Sequence, residues 1–95
     1  MKYFDWDEEK SAQLRAERKI GFEDIQQAIE GGKLLDTVDH PNQIKYSNQR
    51  MFVVEINNYI YLVPFVEDEQ KVFLKTIFPS RKATKKYLIK RGDGS

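Results

Sequence analysis

The stretch Arg50–Phe78 constrains the fold more than any other part of this chain. It reads RMFVVEINNYIYLVPFVEDEQKVFLKTIF, with runs of β-branched and aromatic residues broken at Asn57-Asn58 and at Glu67-Asp68-Glu69-Gln70. Such runs favour strands. Asn tolerates positive φ, so Asn57-Asn58 predicts a two-residue type I′ hairpin joining Arg50–Ile56 to Tyr59–Val66. The second break is a turn into a third strand, Lys71–Phe78, which Pro79 stops. In this register Ile56 opposes Tyr59, and Phe52, Val54, Ile56, Tyr59, Tyr61, Val63 and Phe65 share one face. A four-residue second turn pairs Val66 with Lys71 and adds Val72, Leu74, Thr76 and Phe78 to that face. This almost wholly apolar set is the expected core. The other face mixes Val53, Ile60, Phe73 and Ile77 with Glu55, Lys71 and Lys75, the composition of a partner surface.

The flanking segments read as helices and one further strand. Lys2–Phe4 predicts a short edge strand. Asp5 stands three residues before Glu8, a capping-box spacing that predicts a helix over Trp6–Lys19 with a thin apolar stripe at Trp6 and Leu14. Gly21 breaks it. Phe22, Ile25, Ala28 and Ile29 recur at helical spacing, and Gly31-Gly32 closes a second, more strongly amphipathic helix. Leu34–Val38 is a strand and Asp39–Gln49 a polar loop. Ser80 caps a last helix, Arg81–Arg91, with Gly92 beyond it. The expected architecture is α+β: one domain over residues 1–91, order β-α-α-β-β-β-β-α, an antiparallel meander with helices mainly on one face, and a frayed tail at 92–95.

Charge is unevenly placed. The segment Lys71–Arg91 holds Lys71, Lys75, Arg81, Lys82, Lys85, Lys86, Lys90 and Arg91 and no carboxylate, while the whole chain is only +1. A basic end on a neutral chain points to a polyanionic partner. The absence of cysteine removes disulfides, thiol nucleophiles and zinc–thiolate sites. No run approaches a membrane span and no signal-peptide pattern opens the chain, so a cytoplasmic location is the expectation. No Gly-rich phosphate loop, Ser-His-Asp set or paired-carboxylate motif is present.

The candidate chemistry therefore rests on cations. Arg81 and Lys82 stand in the first turn of the last helix, where free backbone N–H groups also favour anions; a solvated basic helix is the plainer alternative. Lys75 is a mid-strand cation suited to a phosphate or to transition-state charge. His40 is the lone histidine and a candidate acid or base, although a turn His before Pro41 needs no function. Tyr46, in a polar loop, is a candidate for stacking on a base. Asp7-Glu8-Glu9 is better explained by a helix N-terminus than by a metal.

Two segments resemble a known family. Phe4-Asp5-Trp6-Asp7-Glu8-Glu9-Lys10 followed by Ile20-Gly21-Phe22-Glu23-Asp24 is similar to the opening of BrnT-type ribonuclease toxins of type II toxin–antitoxin systems. Ser80-Arg81-Lys82-Ala83-Thr84-Lys85 resembles the family's closing motif. The resemblance implies a RelE-like fold, RNA cleavage that blocks translation without a metal or other cofactor, and neutralisation by a ribbon-helix-helix antitoxin. It also implies DNA contact only through the antitoxin complex. Carried over residue by residue, it implies catalytic roles for Arg81, Lys75 and Arg50; from the residues themselves, His40 joins them as the candidate for proton transfer, and Lys82, Lys85, Lys86 and Tyr46 are the expected RNA contacts. Two positions depart from the pattern. Arg18-Lys19 stands where His-Gly is usual, and the usual basic residue of the last strand falls at Thr76, beside Lys75. A non-catalytic RNA- or protein-binding module with a basic C-terminal helix is the competing expectation.

Overall fold

The computed structural model describes residues 2–47 and 49–89, and of residue 89 the backbone alone. The expected helix end at Arg91–Gly92 and the tail 92–95 lie outside the described residues. In chain order the elements are β1 (Tyr3–Asp5), α1 (Glu8–Arg18), α2 (Phe22–Glu30), β2 (Leu34–Asp39), β3 (Arg50–Ile56), β4 (Tyr59–Glu67), β5 (Lys71–Leu74), β6 (Phe78–Pro79) and α3 (Arg81–Thr84). A π-helical turn over Lys85–Ile89 continues α3.

The hairpin forms as its turn residues dictate. Asn57 and Asn58 take φ of 55° and 64°, and Ile56 pairs with Tyr59 in an unbroken register back to Arg50–Phe65. The second turn is tighter than expected, pairing Glu67 with Val72 and Phe65 with Leu74. Asp68 shapes it, its carboxylate accepting from the N–H groups of Gln70 and Lys71 at 2.8 and 2.9 Å. The register moves by an even number of residues, so Val72 and Leu74 still face the core.

Three expectations about the sheet are corrected. It is mixed, in the order β1-β5-β4-β3-β2, because β1 pairs with β5 in parallel (Phe4 beside Val72). The strand expected over Lys71–Phe78 is broken: β5 ends at Leu74, and Phe78 rejoins β4 at Leu62, one position out of the Phe65–Leu74 register. That irregularity turns Ile77 into the core, fully buried, while Phe78 is only half-buried. Helices also cover both faces. Leu14, Ile20, Phe22 and Ile25 from the α1–α2 pair pack with Phe52, Val54, Val63, Phe65, Val72 and Leu74 on the first face. On the second, α3 and its π-turn lie over Val53, Ile60 and Met51, all buried.

The helix termini account for their own positions. Asp7, rather than Asp5, caps α1, accepting from the N–H groups of Glu9 and Lys10; Asp5 is in β1, its carboxylate on the N–H of Trp6. The chain turns from α1 to α2 around buried Ser11, whose hydroxyl accepts from the Phe22 N–H and donates to Glu23. A Cβ at Gly21 would lie 2.9 Å from that hydroxyl and 2.7 Å from Nη2 of Arg15, so only glycine fits unaltered. The C-terminus of α2 closes on Gly32 at φ 86°, with the Lys33 N–H on the Ala28 carbonyl.

Lys19 ends α1 in the left-handed region, at φ 63°. A side chain there is strained where glycine is not. Lys19→Gly is therefore expected to raise the unfolding free energy by roughly 0.5–1 kcal/mol. Urea denaturation reads this directly, and a destabilised variant would contradict it.

Candidate nucleic-acid interface

The basic C-terminal segment is built onto β4. Ser80 donates its N–H to the Ile60 carbonyl at 3.0 Å and caps α3 through its hydroxyl, which accepts from the Ala83 N–H. One turn later, buried Thr84 accepts from the Ile60 N–H at 2.9 Å and donates to the Ser80 carbonyl at 2.8 Å. Both backbone groups of Ile60 are thus spent on holding α3 to the sheet. Thr84→Val leaves the Ile60 N–H buried and unpaired, and is expected to cost about 1–3 kcal/mol. Chemical denaturation checks it; a variant as stable as the parent would show that the helix is anchored elsewhere.

From that anchor the segment crosses the second face toward β2. Tyr87 donates its hydroxyl to Asp36 at 2.8 Å. This bond, with the Thr37 N–H and the charge of Lys86 adding to it, holds the Asp36 carboxyl below its usual range. Partial burial, then Asp36 itself, pushes the Tyr87 phenol up. The carboxylate partner is intact above the ordinary carboxyl value of about 3.9 and is lost only as pH falls through the lowered one.

Between this segment and the rim of β2 and β3 runs an open groove of about 380 Å³. Its floor is apolar, from Val38, Met51, Val53 and Leu62, and Lys82, Lys86 and Tyr87 stand along one side. Asp39 and Pro41 form the other. Neither lysine has a carboxylate within ion-pair distance among the described residues. The i, i+4 spacing of 82 and 86 puts both on one flank. Arg81 and Lys85, equally exposed, do not line the groove.

The remaining candidates fall in three places. Beside the groove, His40 stacks on Tyr46 with ring centroids 4.3 Å apart, and its Nδ1 accepts from the Asn42 N–H. While that bond holds, a neutral ring carries its proton on Nε2 and offers it there as a donor. Lys45 lies 5.2 Å over Tyr46. Lys75 donates its backbone N–H to Pro64, which pairs with Met51 on the groove floor. It thus shares the groove's row of the sheet, about 10 Å from Met51 across β4, with its ammonium 5.6 Å from the Phe73 ring. Arg50 is on the opposite face. It reaches Glu67 at 3.7 Å and lies over Phe65, a ring of the first-face core. Arg81 follows Ser80 at Ile60, four residues along β4 from the Pro64 partner of Lys75, or about 13 Å. The structure therefore gathers Lys82 and Lys86 on the groove, sets His40, Tyr46 and Lys75 around it, and separates Arg50 from all of them.

Sequence reasoning does not reach Asp36; it counts Tyr87 among tyrosines better explained as core aromatics and Met51 only as part of the second sheet face. Only the i, i+4 spacing of Ala83 and Tyr87, on one helical flank, hints at a shared wall. Asp36 joins through a contact between residues far apart in the chain.

The family model described as ribonuclease toxin, BrnT, of type II toxin-antitoxin system, matches residues 6–86. Neither a curated protein nor a solved structure matches the chain.

Proposed function

Since the chain belongs to the BrnT family of ribonuclease toxins of type II toxin–antitoxin systems, and membership implies an RNA substrate and an antitoxin partner, we propose that the groove beside the basic C-terminal segment is where RNA is cut. The observation that carries this is the pair Lys82 and Lys86, without an ion-pair partner among the described residues, on one wall of a groove of about 380 Å³. The reaction needs no metal. The ribose 2′-oxygen attacks the adjacent phosphorus and gives up its proton to a base, and the bond from phosphorus to the 5′-oxygen breaks. Lys82 and Lys86 hold the phosphate and neutralise its growing charge. His40, protonated on both nitrogens with Nδ1 released from the Asn42 N–H, supplies the proton to the leaving 5′-oxygen from Nε2 and returns to the neutral ring. Lys75 and Tyr46 contact the strand where it leaves the groove, with Arg81 and Lys85 on the phosphates beyond. Arg50 acts through the sheet rim rather than on the scissile phosphate.

The family resemblance adds the finer terms of the proposal. The fold is kin to RelE-like ribonucleases, the setting is the cytoplasm, and translation is the process blocked. A ribbon-helix-helix protein neutralises the toxin, and DNA is met only through that complex. No described helix is long and apolar enough to cross a membrane.

The test is induced expression of the chain with and without the adjoining antitoxin gene, together with cleavage of RNA by purified protein in excess EDTA. Growth arrest relieved by the antitoxin, and EDTA-resistant cleavage leaving 2′,3′-cyclic phosphate ends, are expected. Folded protein that binds RNA and leaves it intact would favour the second reading, a non-catalytic RNA-binding module. One observation supports that reading: Arg50 and Lys75 stand on opposite faces of the sheet.

A further inference from the structure

A second cavity, of about 560 Å³, opens on the first face of the sheet where the β3–β4 hairpin turns. It lies between the end of α1, the side of α2 and the residues Ile56-Asn57. Its charged lining is Arg15, Arg18, Lys19 and Lys33 against Asp24 and Glu55. Arg15 is already committed, ion-paired to Glu23 and Asp24 at 3.1 Å each. Arg18, Lys19 and Lys33 have no carboxylate within ion-pair distance among the described residues. The dipole of α1 accounts for cations at 18 and 19. The C-terminus of α2 likewise favours a cation at Lys33, which follows its closed end and faces the same space.

The cleft is not cationic alone. Ile20, buried, and the half-buried Ile56 and Tyr61 give it an apolar base with a phenol ring. An aromatic floor beside a cationic rim suits a single nucleotide unit, the base against the ring and the phosphate at the rim. The cleft and the groove lie on opposite faces of the sheet and approach each other at its hairpin end. The start of α3, with Arg81 and Lys85 exposed on it, sits at that end, since Ser80 bonds Ile60 and Pro79 pairs with Tyr61, and Tyr61 lines the cleft.

We propose that this cleft is a second RNA-binding subsite, seating a nucleotide several positions from the scissile phosphate, with Arg18, Lys19 and Lys33 as its phosphate ligands. It rests on the reading of the groove as the RNA-cutting site. It also gives a role to Arg18-Lys19: the departure from the family's usual His-Gly adds two cations to this rim.

The experiment is fluorescence anisotropy of a labelled single-stranded RNA long enough to span both sites, over a salt series. The protein carries Arg18→Gln, Lys19→Gln and Lys33→Gln, with folding checked by circular dichroism. Each lost phosphate contact removes about 0.7 from the slope of log affinity against log salt, so the triple variant is expected to lose about 2 from that slope. Its affinity at moderate salt is expected to fall about 10-fold or more. Arg18→Lys, Lys19→Arg and Lys33→Arg together restore both. A folded triple variant with the parent's slope and affinity overturns the subsite. If Lys82→Gln with Lys86→Gln still weakens binding in that case, the groove stands and the cleft alone is lost. A parent protein that binds no RNA at low salt overturns both.

Discussion

Phe22→Ala is expected to lower the unfolding free energy by about 3–5 kcal/mol, the largest stability effect of any single truncation in the chain. Phe22 is wholly buried and opens α2 at the point where both helices meet the sheet. Its ring packs 5.9 Å from that of Trp6, and it belongs to one cluster with Leu14, Ile25, Val54 and Val63. Removing the ring leaves a cavity bounded on one side by strands, which cannot collapse into it. The α1–α2 turn, closed through Ser11 and Glu23, also limits relaxation from the helix side. A domain of this size holds about 5–15 kcal/mol in all, so the variant comes close to the unfolding margin. A fall in Tm on the order of 20 °C accompanies the loss. Urea denaturation at matched temperature gives the value. Ile44→Ala, at a side chain 99% exposed on the loop between β2 and β3, is the contrast and should change stability by less than about 0.5 kcal/mol. A Phe22→Ala loss no larger than that of Ile44→Ala would remove Phe22 from the centre of the core.

The largest functional effect is expected from Lys82→Gln with Lys86→Gln. Both side chains are exposed, with no carboxylate in ion-pair distance among the described residues, so folding loses little. Their loss leaves the groove without the cations that neutralise the transition-state phosphate. Removal of a single charge-stabilising donor typically costs a factor of about 100–1,000 in turnover, and the double variant is expected to cleave RNA at least about 100-fold more slowly. Single-turnover cleavage at saturating enzyme separates this from weakened binding. Arg81→Ala is expected to do less at saturation, because Arg81 does not line the groove. Equal losses from Arg81→Ala and from the double variant would return the scissile phosphate to the start of α3, where sequence alone places it.

How much of this was legible in the residues varies with the range of the interactions. Asn57-Asn58 carries its own hairpin, and the β3–β4 register follows from that turn alone. Ser80 and Gly31-Gly32 mark helix ends by chemistry confined to a single turn of chain. The break in the last strand was not legible. Lys75-Thr76-Ile77 alternates well enough to continue β5, and only packing against the first-face core decides that Ile77 turns inward. The parallel pairing of β1 with β5 joins residues far apart in the chain, Phe4 with Val72, and nothing within Lys2–Asp5 encodes its partner. The last helix was expected to run on as α-helix. Instead it passes into a π-turn, and that stretch is tied by Tyr87 to Asp36 on a strand that no local pattern connects to it.

The candidate site shows the same division. The basic run announces that α3 meets an anion. Which lysines face the groove depends on how the helix is rolled, and the bonds from Ser80 and Thr84 to Ile60 set that roll. Arg50 and Lys75 are alternative candidates for one charge-stabilising role when only the sequence is read. Their register parity places them on opposite faces.

The most direct measurement is photo-crosslinking of a short RNA whose 2′-hydroxyl at the cleavage position is replaced by hydrogen, which lets it bind without being cut. Peptides carrying the crosslink are then mapped by mass spectrometry. The groove predicts crosslinks on the segments holding His40 to Tyr46 and Lys82 to Tyr87. Crosslinks confined to Arg15–Lys33 and Ile56–Tyr61, with none on those two segments, would contradict it and move the cleavage site to the other face of the sheet.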